Sequence, residues 1–243
     1  MDYSVNLTMN AKTVQTLLGQ GNALVALSAV RGRDLAALPL VWSLTAKYGQ
    51  STLLQWKTAY AAYTSTSSIV AGTVVHPANT IAVAPGRIVK VGSGGLLTDG
   101  GIGSPGAIEI VNSVADSFTC GVQQSVNDVL APVCAYPLNG LSTQTIVPLP
   151  QVVLVFSTTP LTVGEAFDAA VPALALSSIL AIDLSSNATA GVQFDVDRGW
   201  SASSGTIAET ITIEALVSKL IQPGSAPRLR PFGGRDFLRY RHS

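Results

Sequence analysis

The feature that most constrains the fold of this chain is an alternation of apolar and polar residues with a period of two. A strand that is buried on one face has this period, because successive side chains point to opposite faces. The solid apolar runs 152–156 and 180–184 are typical of strands that are buried on both faces. The alternating segments are residues 3–9, 40–44, 54–60, 108–110, 118–122, 192–196 and 211–213.

Glycine and proline separate these segments. Turn signals such as Pro85-Gly86 and Asp99-Gly100-Gly101 follow short apolar runs, at a spacing of about ten residues. Many short strands with such turns predict a sandwich or a barrel. With 243 residues, the chain is expected to form a single all-β domain. We predict a β-sandwich, either jelly-roll-like or of a related two-sheet architecture, with short connecting helices and an extended C-terminal arm.

Helix signals occur at two places. Asn10 is a candidate N-cap for a short helix that ends near Gly19. The sequence Thr162-Val-Gly-Glu165 matches a capping box, and Pro172 would end the helix that follows it. Both helices are expected to lie on connections between strands.

Charge is scarce and unevenly distributed. Only 12% of the residues are charged, about half the usual ~25%. Residues 1–222, the predicted body, hold nine basic and thirteen acidic side chains, whereas residues 223–243, the predicted arm, hold five arginines and one aspartate. A surface with few charges is easily dehydrated. We therefore expect the body to associate with copies of itself, the alternative being a monomer with a Ser/Thr-rich surface.

The arm combines arginine with aromatic residues. Arginine forms bidentate bonds to carboxylates and phosphates and stacks on aromatic rings. Docking on a neighbouring subunit is one interpretation, binding to a nucleic acid or an anionic lipid head group is another, and a solvated arm is the third. The residues predicted to bind a partner are Arg228, Arg230, Phe232, Arg235, Phe237, Arg239, Tyr240 and Arg241.

The sequence shows no catalytic signature. No G-x-S-x-G motif is present, and His76 is the only histidine outside the arm. The glycine-rich stretch 92–106 precedes a strand rather than a helix and lacks Gly-Lys-Ser/Thr, so we interpret it as a hairpin or loop and not as a phosphate site. The prediction is therefore a protein that is not an enzyme and needs no cofactor, with a hydrolase built on His76, Asp195 or Asp197 as the residual alternative.

One short segment is a candidate ligand site. Asp195 and Asp197 are expected on one face of a strand, and Arg198 and Trp200 follow at its end. Paired carboxylates beside an aromatic ring have the chemistry of a Ca²⁺ or sugar site. The alternative is a solvated strand face on which Arg198 pairs with a carboxylate, with Trp200 as a core residue.

The two cysteines, Cys120 and Cys134, leave two interpretations open. They are either joined in a disulfide or present as buried thiols that act as small core residues. Two cysteines without a histidine partner do not make a metal site, so no metal centre is predicted.

Neither a transmembrane segment nor a signal peptide is evident. Prolines interrupt the uncharged run 129–164, and the first ten residues lack the basic and apolar regions of a leader. The composition is compatible with an extracellular or virion-like assembly, and the sequence leaves the compartment open.

The expected function is that of a non-enzymatic structural subunit of the coat, shell or fibre type, which associates with itself. The basic C-terminal arm would dock on a neighbouring subunit or on an anionic partner. The alternative is a cell-surface recognition module, either a sugar-binding, lectin-like protein or a membrane-attacking β-sandwich protein.

Overall fold

The computed structural model describes residues 2–33, 36–167 and 178–224. Within them, two large sheets pack face to face, so the predicted all-β, two-sheet sandwich is confirmed. Each sheet has nine strands, and the apolar side chains between the two sheets form the main core.

The front sheet runs in the order β16 (Gly199–Ala202), β15 (Thr189–Asp195), β1 (Asp2–Thr8), β5 (Ser51–Ser65), β10 (Phe118–Val126), β12 (Cys134–Leu138) and β3 (Leu38–Pro39). In addition, β6 (Asn79–Val83) pairs with β5, and β11 (Val129–Pro132) pairs with β10.

The back sheet runs in the order β17 (Ile207–Ile211), β14 (Ile179–Asp183), β13 (Thr143–Ser157), β9 (Ile108–Asn112), β7 (Arg87–Val91) and β8 (Leu97–Ile102). On the other side of β13 lies β2 (Ala23–Gly32), which also pairs with β4 (Ser43–Thr45) and β18 (Ile221–Pro223). The α-helices are α1 (Ala11–Gly19) and α2 (Ile213–Leu220), and residues Ser93–Gly95 form a 3₁₀ turn.

The alternation in the sequence sets the inner faces of the sheets. In β1, Val5 and Leu7 are completely buried, whereas Asn6 between them is exposed. In β5, Leu54 and Trp56 are buried and Gln55 is exposed. The alternating segments therefore lie with one face in the core, as the period of two requires.

Among the described strands, three pairs are parallel: β1 with β15, β7 with β9, and β18 with β2. A jelly roll is built from antiparallel strands. The structure is therefore the related two-sheet architecture, in which both sheets are mixed.

Helix α1 begins where the sequence predicts it. The Asn10 side chain accepts a hydrogen bond from the Thr13 amide at 2.7 Å, and Thr13 and Leu17 are buried on the inner side of the helix. The short polar side chain satisfies an amide that the first helical turn leaves without a partner.

The helix predicted after the capping box is wrong over its described part. Glu165 and Ala166 form β-bridges with Val74 and Leu40 instead. The Glu165 carboxylate does accept a hydrogen bond from the Thr162 amide at 2.8 Å, so the motif closes a turn here without starting a helix. The remaining residues of this prediction, from position 168 onward, lie outside the described residues.

Helix α2 is a second difference from the sequence prediction, since Ile213 was expected to continue a strand. The helix lies on the outer face of the back sheet and buries Leu216 and Leu220 against Leu27 and Val153. The outer face of the front sheet is covered at one end, where Tyr63 and Ala135 lie beneath Leu40, Val75 and Ala166.

Strand β18 continues through Pro223, which the sequence analysis assigned to the arm, and the Gly224 amide donates to the Gly32 carbonyl at 2.7 Å. The described body therefore extends to Gly224. Neither of the helices in the described ranges is long and apolar enough to cross a membrane.

Candidate interaction surface

The predicted acidic pair is not on one strand face. β15 ends at Asp195, and residues 196–198 form the turn to β16, so Asp197 lies in the turn. The Asp195 carboxylate accepts hydrogen bonds from the Asp197 amide at 2.8 Å and from the Asn10 side chain at 2.7 Å. The Asp195 carboxylate thus orders the turn and joins it to the start of α1.

Charge pairing in this turn also differs from the expectation. Asp197 is bonded to Lys12 at 2.6 Å, rather than to Arg198. This bond raises the pKa of Lys12, and the attraction of the Asp197 charge adds to it. The Arg198 amide donates to the Asp195 carbonyl at 3.2 Å.

Trp200 is half-buried and packs against two aromatic residues of the core. Its ring lies 4.8 Å from Phe194 and 5.8 Å from Phe156, centroid to centroid, and its indole N–H donates to the Ser178 carbonyl. The geometry favours the interpretation of Trp200 as a core residue at the sheet edge.

The remaining sequence candidates lie apart from one another. His76 is exposed, and its main chain bonds to the side chains of Ser65 and Ser67. The glycine-rich stretch 92–106 forms the 3₁₀ turn, β8 and a loop into β9, as expected for a hairpin.

Cys120 and Cys134 are both thiols and both fully buried, on the neighbouring strands β10 and β12. Burial raises the pKa of the Cys134 thiol to about 12, so this thiol stays protonated at neutral pH. Of the two interpretations, the structure favours that of small core residues. In the described ranges, no three His, Cys, Asp or Glu side chains are grouped to hold a metal ion.

All eight arm residues predicted to bind a partner, from Arg228 to Arg241, lie outside the described residues. The search for a functional surface therefore concerns the body.

Several exposed apolar side chains lie around one hollow at an end of the sandwich, and we call this area the apolar end surface. It surrounds a hollow of about 460 Å³ between β2, β4, β5 and the β10–β11 turn. Among the residues that line the hollow, Lys47 is the only one with a charged side chain. The exposed apolar side chains of this surface are Leu53, Val129 and Val163, and Leu130 lies beside Val129 on the opposite face of β11.

The β10–β11 turn holds these apolar side chains in place. Asn127 and Asp128 both have positive φ angles, 47° and 64°, as a two-residue hairpin turn requires. The Asn127 side chain accepts a hydrogen bond from the Gln55 amide at 2.9 Å, which fixes the turn against β5. Just beyond the turn, the exposed fractions of Val129 and Leu130 are 61% and 51%. On β5, the exposed fraction of Leu53 is 50%.

The aromatic residues Trp42 and Tyr48 form the floor of the hollow. Trp42 packs edge-on against Trp56 at 5.3 Å between centroids, and its indole N–H donates to the Gln124 carbonyl at 3.0 Å. Tyr48 donates its hydroxyl to the Asn22 carbonyl at 2.9 Å. Since these polar atoms are already bonded, the floor presents mostly carbon to whatever covers it.

Single exposed apolar residues need no explanation, whereas exposed apolar side chains that are grouped around a hollow indicate a protein contact site. In addition, β11 pairs with β10 along one edge, and no other pairing of β11 is present among the described residues. An edge strand with apolar side chains favours association.

Sequence reasoning missed this surface. A signal was present, because Asn127-Asp128 lies between the strand-like segment 118–126 and the apolar run 129–133, and both residue types are common in hairpin turns. What the sequence did not reveal is that Val129 and Leu53, 76 positions apart, lie at the same hollow.

A second hollow, of about 530 Å³, lies at the front sheet, and Tyr3, Trp56 and Ala59 are among the residues that line it. It is bounded by two carboxylates, one ammonium group, one amide and three hydroxyl-bearing side chains that belong to Ser or Thr. These residues are Asp2, Asp128, Lys57, Gln55, Ser4, Ser125 and Thr189.

Comparisons with protein families, with curated proteins and with solved structures find no match to this chain.

Proposed function

We propose that this chain is a non-enzymatic structural subunit, of the coat, shell or fibre type, that associates with copies of itself. The observation that carries the proposal is the apolar end surface, which combines exposed Leu53 and Val129 with a hollow that has a single charged lining residue. The low charge of the whole chain, 12% of the residues, supports it, because such a surface is dehydrated at little cost.

The C-terminal arm is proposed to add to this contact by docking on a neighbouring subunit or on an anionic partner. The body carries an excess of acidic side chains and the arm an excess of arginines, so the two attract each other. The apolar contact would then provide most of the affinity, whereas the arm would determine which neighbours are joined.

The test replaces two of the exposed apolar side chains by charged ones. Association would bury the exposed halves of Leu53 and Val129. The variant Leu53→Lys/Val129→Lys loses this burial, so the free energy of association becomes about 2 kcal/mol less favourable. We expect the dissociation constant for self-association to rise roughly thirtyfold, measured by light scattering and analytical ultracentrifugation over a dilution series.

The matched control is Ile102→Lys. This residue is 84% exposed on β8 of the back sheet, so the change adds one lysine, half the charge that the test variant adds, away from the apolar end surface. Equal weakening by the control, or a wild-type chain that stays monomeric at high concentration, would contradict the proposal.

The alternative, a cell-surface recognition module, is favoured by one specific observation. The lining of the second hollow includes carboxylates, an amide and hydroxyls, the groups that bind sugar hydroxyls. A monomer that agglutinates or lyses cells, and loses that activity in Asp2→Asn/Asp128→Asn, would favour this alternative over the structural subunit.

A further inference from the structure

Two charged side chains of opposite sign border the apolar end surface on opposite sides. Lys47 lies two residues after the end of β4, a strand of the back sheet, and lines the hollow. Asp128 lies in the β10–β11 turn of the front sheet, between Asn127 and Val129, which both line the hollow. The hollow therefore has a basic side chain on its back-sheet side and an acidic one on its front-sheet side.

Both charges are available to a partner. Lys47 and Asp128 are exposed, and the ion pairs between described residues do not include them. Lys57 borders the second hollow together with Asp128, but it lies opposite Asp2 in the pairing of β1 with β5. The ion pairs that the described residues form are Lys12 with Asp197, Arg87 with Asp99 and Lys219 with Glu209.

The backbone holds both charged residues in ordered positions. The Lys47 amide donates to the Thr45 hydroxyl oxygen at 3.0 Å, which closes the chain at the end of β4. The turn that carries Asp128 is fixed by the bond from the Gln55 amide to the Asn127 side chain. Neither charge therefore needs a change of the backbone in order to meet a partner.

The surface as a whole is complementary to itself. A two-fold rotation about an axis through the hollow exchanges the back-sheet and front-sheet sides, so the lysine of each copy faces the aspartate of the other. In such a contact both copies use the same patch, so each pair of residues occurs twice. The apolar side chains Leu53, Val129 and Val163 then meet their own kind, with the charges on the rim, as protein interfaces are commonly built.

We propose that the apolar end surface binds a second copy of this chain about a two-fold axis, with Lys47 of each copy paired with Asp128 of the other. This inference rests on the proposed self-association, to which it adds the symmetry and the residues that select the partner. The apolar contact provides the affinity, and the two charge pairs fix the relative orientation of the copies. A two-fold contact is closed, so a larger assembly is built from dimers through other contacts.

Charge reversal in two separate chains tests the pairing. In a homodimer of Lys47→Glu, like charges face each other at both contacts, and the same holds for Asp128→Lys. Each variant alone should associate about tenfold more weakly than the wild-type chain, since an exposed pair contributes little but occurs twice. An equimolar mixture of the two variants should regain nearly the wild-type affinity, because the mixed dimer places opposite charges together at both contacts.

Sedimentation velocity over a dilution series measures these dissociation constants, and native mass spectrometry identifies the mixed dimer. The matched control is the mixture of Lys90→Glu with Asp116→Lys. These two residues are exposed and do not line the hollow, so both control variants should associate like the wild-type chain, separately and mixed. A mixture of Lys47→Glu with Asp128→Lys that regains no affinity would overturn the inference, and so would a trimer as the smallest assembly of the wild-type chain.

A salt series needs only Lys47→Glu, so it does not depend on how the turn accepts a lysine at position 128. Salt screens both the attraction in the wild-type dimer and the repulsion in the variant. Raising NaCl from about 0.05 M to about 0.5 M should therefore reduce the tenfold difference in affinity to about threefold or less. A difference that salt leaves unchanged would contradict the charge pairs.

The outcomes separate this inference from the proposed function. If the wild-type chain self-associates, Leu53→Lys/Val129→Lys weakens the association and the charge reversals do not, the proposed function holds and the two-fold contact is wrong. A wild-type chain that stays monomeric at high concentration contradicts both.

Discussion

At the scale of single residues, backbone geometry in one loop shows how local constraints act in this fold. Gly140 approaches Ala115 so closely that an added Cβ would lie 2.1 Å from the Ala115 carbonyl oxygen. The next residue, Leu141, has a φ of 55° although it is not glycine, and it is 75% exposed. A branched side chain in this left-handed region is strained.

Substitutions at these two neighbours should therefore change stability in opposite directions. Leu141→Asn should stabilise the protein by about 0.5–1 kcal/mol, because asparagine tolerates the left-handed region better. Gly140→Ala should destabilise it by about 2 kcal/mol or more, because the backbone must move. Urea unfolding of the two variants measures both effects, and a stabilised Gly140→Ala would contradict the predicted close approach.

The candidate ligand residues also show what a single-residue pattern conveys. The identities of Asp195, Asp197 and Trp200 indicated sugar or cation chemistry, but the turn after β15 and the contact of Trp200 with Phe194 use these side chains for structure. A residue type reveals which chemistry is available, whereas its partners determine which is used.

At the scale of elements, α1 was predictable and α2 was not. Asn10 precedes an amphipathic run, and a cap signal of this kind acts locally. Before α2, Ile211 and Ile213 continue the alternation of β17. The chain forms a helix there because Leu216 and Leu220 bury against the outer face of the back sheet, a contact that the local pattern does not contain.

Asn10 links two elements, and a graded set of substitutions separates its two roles. Asn10→Ala loses the cap bond to Thr13 and the bond to Asp195, at a cost of about 1–2 kcal/mol. Asn10→Ser retains a cap and should recover about half of that loss. Chemical denaturation of both variants checks the order, and equal stabilities would show that the cap contributes nothing.

At the scale of the whole molecule, the boundary between body and arm decides how an arm deletion should be made. The bond from Gly224 to Gly32 and strand β18 belong to the body. A deletion that starts at residue 223 would remove part of the back sheet, whereas a chain that stops after Gly224 retains every described contact.

We expect the chain that ends after Gly224 to keep its melting temperature within about 2 °C, because less than ~0.5 kcal/mol of body stability is lost. Its self-association should weaken about tenfold, since the docking of the arm on a neighbouring subunit is lost while the apolar end surface remains. Differential scanning calorimetry and sedimentation velocity measure the two quantities. An unchanged particle size without the arm would contradict the proposed docking of the arm on a neighbouring subunit.

The sequence by itself determined the all-β class of this protein, the buried face of strands such as β1 and β5, and the start of α1. These features depend on residues that are two to four positions apart in the sequence. The tertiary structure alone decided which strands pair, that β1 and β15 run parallel, and that Leu53 and Val129 meet at one hollow. The physical reason is that backbone hydrogen bonds are the same for nearly all residues. Pairing partners are therefore selected by packing between distant segments and not by any local pattern.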